Sequence, residues 1–166
     1  MLTRSLAGWR DQYERMKRSY ARLLTAHVSS VDYDDDLLHF FMDSWHLKDW
    51  IKNDDELPSS VRDRVENEVA AHRSLRISAD LANGWKHLVF DERHPPREGA
   101  DVTSKSVVMS LETGRADVSH TITLDDGSVL SAQDLARDAC NEWDAVLRDL
   151  ETRTGFGHLF GPRPSK

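Results

Sequence analysis

Apolar residues recur along the N-terminal stretch with a helical period. Leu6, Trp9, Tyr13, Met16, Tyr20, Leu23 and His27 are separated by alternating three- and four-residue steps. That spacing stacks them in one stripe of an α-helix, with Arg15, Arg18 and Arg22 roughly opposite. A second helix begins near Asp32, capped by Asp32 or Ser30, and Asp34, Asp35 and Asp36 fall in its first turn, where negative charge complements the helix dipole. Its apolar residues Leu37, Leu38, Phe40, Phe41, Trp45, Leu47 and Ile51 cover more than half the circumference, which predicts a central helix ending at Asn53 and Pro58. A third helix starts at Ser59 or Ser60, with Asp63 completing a capping-box pattern. Its inner stripe is Val61, Val65, Val69, His72, Leu75 and Ala79. Asn83-Gly84 is a stop for this helix, the alternative being a kinked continuation through Trp85 to Leu88.

The period changes after residues 91–104, which read as a loop rich in Pro and charge. Ser106 to Leu111 and Val118 to Leu124 read as strands, and Asp125-Asp126-Gly127 as a hairpin turn before Ser128-Val129-Leu130. The last helix starts at Ser131 with Asp134 three residues on, turns Leu135, Ala139, Trp143, Val146, Leu147 and Leu150 inward, and ends at Gly155. The fold class expected is mainly α (α+β): a four-helix bundle with a small antiparallel β-hairpin sheet between helices three and four. A single domain spans 1–166, comprising a helical half 1–90, the loop 91–104, a hairpin region 105–130, the C-terminal helix 131–154 and a tail 155–166.

Composition narrows the class of protein. With 166 residues, 39% apolar and 31% charged, the chain buries enough surface to fold without disulfides or metal. No apolar run approaches the roughly 20 residues of a membrane span, and the first residues lack the apolar core of a signal peptide. The lone Cys140 gives no disulfide framework and no cysteine zinc cluster, which suits a reducing, cytoplasmic setting. Next to the inner stripe of the last helix, it reads as a small core residue. The net charge of −7 is uneven: residues 1–30 carry six basic and two acidic side chains, and residues 31–60 carry two basic and nine acidic. An acidic chain is a poor general nucleic-acid binder. The basic face of the first helix reads as a solvated face paired with a neighbouring acidic helix.

Three patterns carry candidate chemistry. Asp36, His39, Asp43 and His46 share one face of helix two and offer oxygen and nitrogen ligands to Zn, Mn or Fe. One helix face cannot wrap a metal alone, and the same residues read first as a polar outer stripe; His72 and His87 are the nitrogen donors a partner helix offers. The second pattern is a pair of segments that set charges between tryptophans: Trp45-His46-Leu47-Lys48-Asp49-Trp50-Ile51 and Asp80-Leu81-Ala82-Asn83-Gly84-Trp85-Lys86-His87. Lys48 falls on the apolar side of helix two, among Leu37, Phe41 and Ile51, where an ammonium must snorkel or find a carboxylate. Lys48, Asp49, Asp80, Lys86 and His87 are the candidate ligand-binding residues. A direct Lys48–Asp80 pair is disfavoured if helices two and three pack antiparallel. The third pattern is Arg-x4-His, at Arg22/His27, Arg115/His120 and Arg153/His158, with His as general acid/base and Arg on a phosphate. In a chain with 16 Arg and 8 His, this spacing carries little weight by itself.

The two tryptophan segments resemble uncharacterised small bacterial and mobile-element proteins of the phage or gene-cassette type. The likeness covers most of the chain and implies a bacterial origin without bringing an activity. The helical topology and the Arg-x4-His pattern more distantly resemble HEPN four-helix bundles. That family implies dimers and, in some members, RNA cleavage. The expectation is therefore a cytoplasmic, non-enzymatic protein that binds a partner or small ligand, has no cofactor and forms a homodimer. The alternatives are a HEPN-like ribonuclease of a defence or toxin system and a metal-dependent helical hydrolase using Zn or Mn.

Overall fold

The computed structural model describes residues 8–25, 30–87, 96–109, 112 and 116–155. These are mostly helical, with a small three-stranded antiparallel sheet. The first stripe forms α1 (Trp9–Leu23), burying Trp9, Tyr13, Met16 and Leu23; Leu6 and His27 lie outside the described residues. Asp11 accepts from the Gly8 N–H at 3.1 Å and so satisfies an orphan donor at the helix start. α2 (Ser30–Lys52) starts two residues earlier than its acidic run suggests, which leaves Asp32 in the first turn. As the all-round apolar pattern requires, it is central. Tyr33, Leu37, Phe40, Phe41, Leu47 and Ile51 are buried, and α2 packs against α1 and against the later helices.

The expected third helix is divided into α3 (Ser59–Arg62), α4 (Val65–Ala71) and α5 (Arg73–His87). Its inner stripe survives the division: Val61, Val65, Val69, Leu75 and Ala79 are all buried. His72 is the exception, standing at the break in extended conformation with ψ 122°. The break is stabilised from outside, because Glu142 of the last helix accepts from the Leu75 N–H at 3.2 Å. A carboxylate on the free N–H groups of a new helix start offsets the bonds lost by interrupting the old one. Asn83-Gly84 does not stop α5, which runs on to His87.

The sheet follows α5 in the chain. β1 (Asp101–Met109) begins within the stretch read as loop, because its residues show no alternation: Thr103 to Val108 are all exposed. Its strand character comes from pairing with β2 (Ala116–Thr123), with a register shift between Val102 and Ser104. The turn over Asp125-Asp126-Gly127 forms as expected, with Gly127 at φ 81° and its N–H donating to the Leu124 carbonyl at 2.9 Å. It leads into β3 (Val129–Ser131), an outer strand paired with β2. α6 (Ala132–Thr154) then starts at the Ser131 cap, whose hydroxyl accepts from Asp134 N–H, and stops at Gly155 with φ 66°. Trp143, fully buried on α6, donates its indole N–H to the Ser44 carbonyl at 3.1 Å and so ties α6 to α2. No helix is long and apolar enough to cross a membrane among the described residues.

Candidate functional site

Lys48 identifies the site. It follows Trp45 by one helical turn on α2, so its ammonium folds back over the indole, 4.3 Å from the ring centroid. Lys48 is buried, at 9% exposure, and lines a cleft of about 130 Å³. It pairs with the adjacent Asp49 at 2.5 Å and lies 3.9 Å from Glu66 of α4. The rest of the lining comes from Val69 and Ala70 of α4, Arg76 of α5, and Arg97 in the segment before β1. The Arg97 guanidinium also lies over Trp45, 4.4 Å from the centroid.

Asp80 builds this site without touching Lys48. Fully buried on α5, its carboxylate accepts from the backbone N–H groups of Arg97 at 2.7 Å and Glu98 at 2.6 Å. Those bonds satisfy a buried charge and fix the segment that carries Arg97. Glu98 in turn receives Arg76 Nε at 2.7 Å, and its carbonyl accepts from the Asp125 N–H at 3.2 Å. Gly99 has φ 63°, and a Cβ there would lie 1.9 Å from Asp125 Cγ, so only glycine fits between this segment and the hairpin turn. The Trp45–Lys48 spacing is legible in the sequence. Glu66, Arg76 and Arg97 are not, since no spacing links residues on three separate elements.

The cleft brings two cations, Lys48 and Arg97, to one indole, with Arg76 as a third cation in its lining. Arg76 is spoken for by Glu98 and by the Ala70 carbonyl, and Lys48 by Asp49. Among the described residues the Arg97 guanidinium has no carboxylate partner. Glu66 holds its proton less tightly than an ordinary glutamate, first because Lys52 hydrogen-bonds it at 3.0 Å. It therefore stays anionic near neutrality. No Ser, Thr, Cys or His lines the cleft among the described residues; the lining offers charged side chains and an aromatic wall.

The other sequence candidates fall elsewhere. Lys86 and His87 end α5, and their side chains lie outside the described residues. The Asp36, His39, Asp43 and His46 stripe is divided between α1 and solvent. Asp43 accepts from Gln12 at 3.1 Å and Ser19 at 3.2 Å, Asp36 pairs with Arg22 at 2.6 Å, and His39 is exposed. Among the described residues no three His, Cys, Asp or Glu side chains gather as a metal group. Arg22 is thus engaged with α2, Arg153 pairs with Glu68 at 3.2 Å, and His120 is buried in the sheet; His27, Arg115 and His158 lie outside the described residues. Burial pushes the Cys140 thiol up to about 12, consistent with a packing role.

A second, larger cleft of about 520 Å³ lies at the C-terminal end of α2, between Trp9 and Trp50. Its carboxylates are already engaged: Asp54 accepts from the Glu56 N–H at 2.9 Å and faces the Trp9 N–H at 3.5 Å, Asp55 pairs with Arg62 at 3.3 Å, and Asp49 with Lys48. Comparison with protein-family models, curated proteins and solved structures returns no match to this chain.

Proposed function

We propose that this protein is a non-enzymatic binding protein that takes one acidic group of a small molecule, a carboxylate or a phosphate, against Lys48 and Arg97 beside Trp45. The observation that carries the reading is Arg97: a segment held by buried Asp80 presents its guanidinium at the cleft with no carboxylate of its own among the described residues. Size sets the ligand class. About 130 Å³ is the room of about four waters, well below the several hundred Å³ of a site that encloses a whole cofactor. The cleft accordingly takes a head group, and the remainder of the ligand stays outside. The scaffold proposed for it is a four-helix bundle whose long members are α1, α2, α5 and α6, with α3 and α4 as the link and the sheet as an appendage between the last two.

Calorimetric titration with inorganic phosphate and with benzoate tests the reading and separates the two head groups. The expected result is saturable one-to-one binding of at least one of them, weakened about tenfold by Arg97→Ala, equivalent to about 1.4 kcal/mol. Arg15→Ala, on the exposed face of α1, serves as the control and leaves binding unchanged. No saturable binding of either anion at millimolar concentration, or equal binding by the Arg97 variant, overturns it.

A further inference from the structure

The sheet is fastened to α2 by a small polar cluster that the anion cleft does not use. Lys105 of β1 and His120 of β2 are direct cross-strand partners, and both reach the same carboxylate of α2. Lys105 Nζ lies 2.5 Å from Asp34 Oδ2, and His120 Nε2 lies 2.8 Å from Asp34 Oδ1. The ring of Tyr33 stacks flat on His120, with centroids 5.3 Å apart and planes 5° from parallel. His120 is only 7% exposed, and among the described residues its Nδ1 has no hydrogen-bond partner. Among the described residues, Asp34 and Tyr33 from α2 and Lys105 from β1 are the titratable groups that face the ring, while Asp117 of β2 and the uncharged Gln133 of α6 act on Tyr33.

We infer that this cluster is an acid-sensitive clamp: neutral His120 holds the sheet against α2, and its protonation loosens that hold. The reason is geometric. Protonation puts a charge on a ring that is only 7% exposed, and sets it directly across the strands from Lys105, where like charges repel. Among the described residues, the carboxylate that faces the ring is already shared with Lys105, and Nδ1 acquires a buried N–H with no acceptor. Consistent with this, burial outweighs Asp34 and holds the His120 pKa below the usual histidine range. The sign follows: the folded form binds this proton less readily than the unfolded chain. The clamp's contribution is complete above the ordinary histidine pKa of about 6.5 and is lost as the pH falls through the lower folded value.

Amide hydrogen exchange on the full chain at about pH 7.5 and about pH 5, corrected for intrinsic rates, tests the clamp. Protection of β1 and β2 is expected to fall several-fold on acidification while the centre of α6 changes little. Lys105→Gln, a substitution at an exposed strand position, should reduce that acid step by removing the opposing cation. The His120 ring resonance in the unmodified protein gives a second reading that needs no variant, and a titration midpoint below the ordinary histidine value is expected. A midpoint at or above that value, or an acid step unchanged by Lys105→Gln, overturns the inference.

Discussion

Asp80 shows how a buried residue shapes an exposed site. A carboxylate at 0% exposure is tolerable only when its oxygens are hydrogen-bonded, and here two backbone N–H groups supply those bonds. Asp80→Asn keeps one acceptor oxygen but sets an amide donor against the other N–H. Each hydrogen bond to a charged group is worth about 1.5–3 kcal/mol, so a loss of about 2–4 kcal/mol is expected in urea unfolding. Because the same bonds hold the Arg97 segment, this variant should also weaken anion binding although it touches no ligand. Of the residues singled out from sequence, Lys48 and Asp49 line or flank the cleft, and Asp80 supports it from beneath. The i, i+3 relation of Trp45 and Lys48 is local, so a single helix reveals it. Arg97 reaches the same indole from 52 residues away, and local periodicity has no purchase on that.

The helices follow their apolar stripes even where their boundaries do not. Val61, Val65, Val69, Leu75 and Ala79 are buried as the period requires, yet the backbone beneath them is broken at Asp63–Arg64 and at His72. Burial constrains which side chains face inward; continuity of the backbone also depends on partners for the freed N–H groups. Glu142 is such a partner, 67 residues along the chain. Replacing it with Ala removes a cap-like bond and should cost about 1 kcal/mol, read as a lower thermal midpoint with faster amide exchange at the start of α5. The charge asymmetry between the first two helices has a tertiary meaning as well. Arg22 of α1 grips Asp36, and Gln12 and Ser19 occupy Asp43, so the acidic stripe that suggested metal ligands serves to dock α1.

Across the whole molecule, α2 is the element on which distant parts converge. α1 packs on it by charge and apolar contacts, the sheet through Asp34, and α6 through Trp143. Trp143→Ala is expected to cost about 3–5 kcal/mol, a large share of the roughly 5–15 kcal/mol that keeps a domain folded. Trp143→Phe, which fills most of the space but leaves the Ser44 carbonyl without its indole donor, should cost about 1–3 kcal/mol. Denaturant melts of the two variants separate packing from hydrogen bonding. What the sequence determined by itself was what short-range chemistry controls: the helical stripes, the central standing of α2, the hairpin turn at Gly127, the Ser131 cap and the Gly155 stop. Each depends on residues a few positions apart, whose spacing is set by helix or turn geometry. Only the tertiary structure decided the division of the third helix, the early start of β1, the meeting of Arg97 with Trp45 in a cleft that Arg76 also lines, and the sharing of Asp34 by two strands. Those depend on groups tens of residues apart, whose meeting is settled by how the elements pack rather than by the order in which they are written.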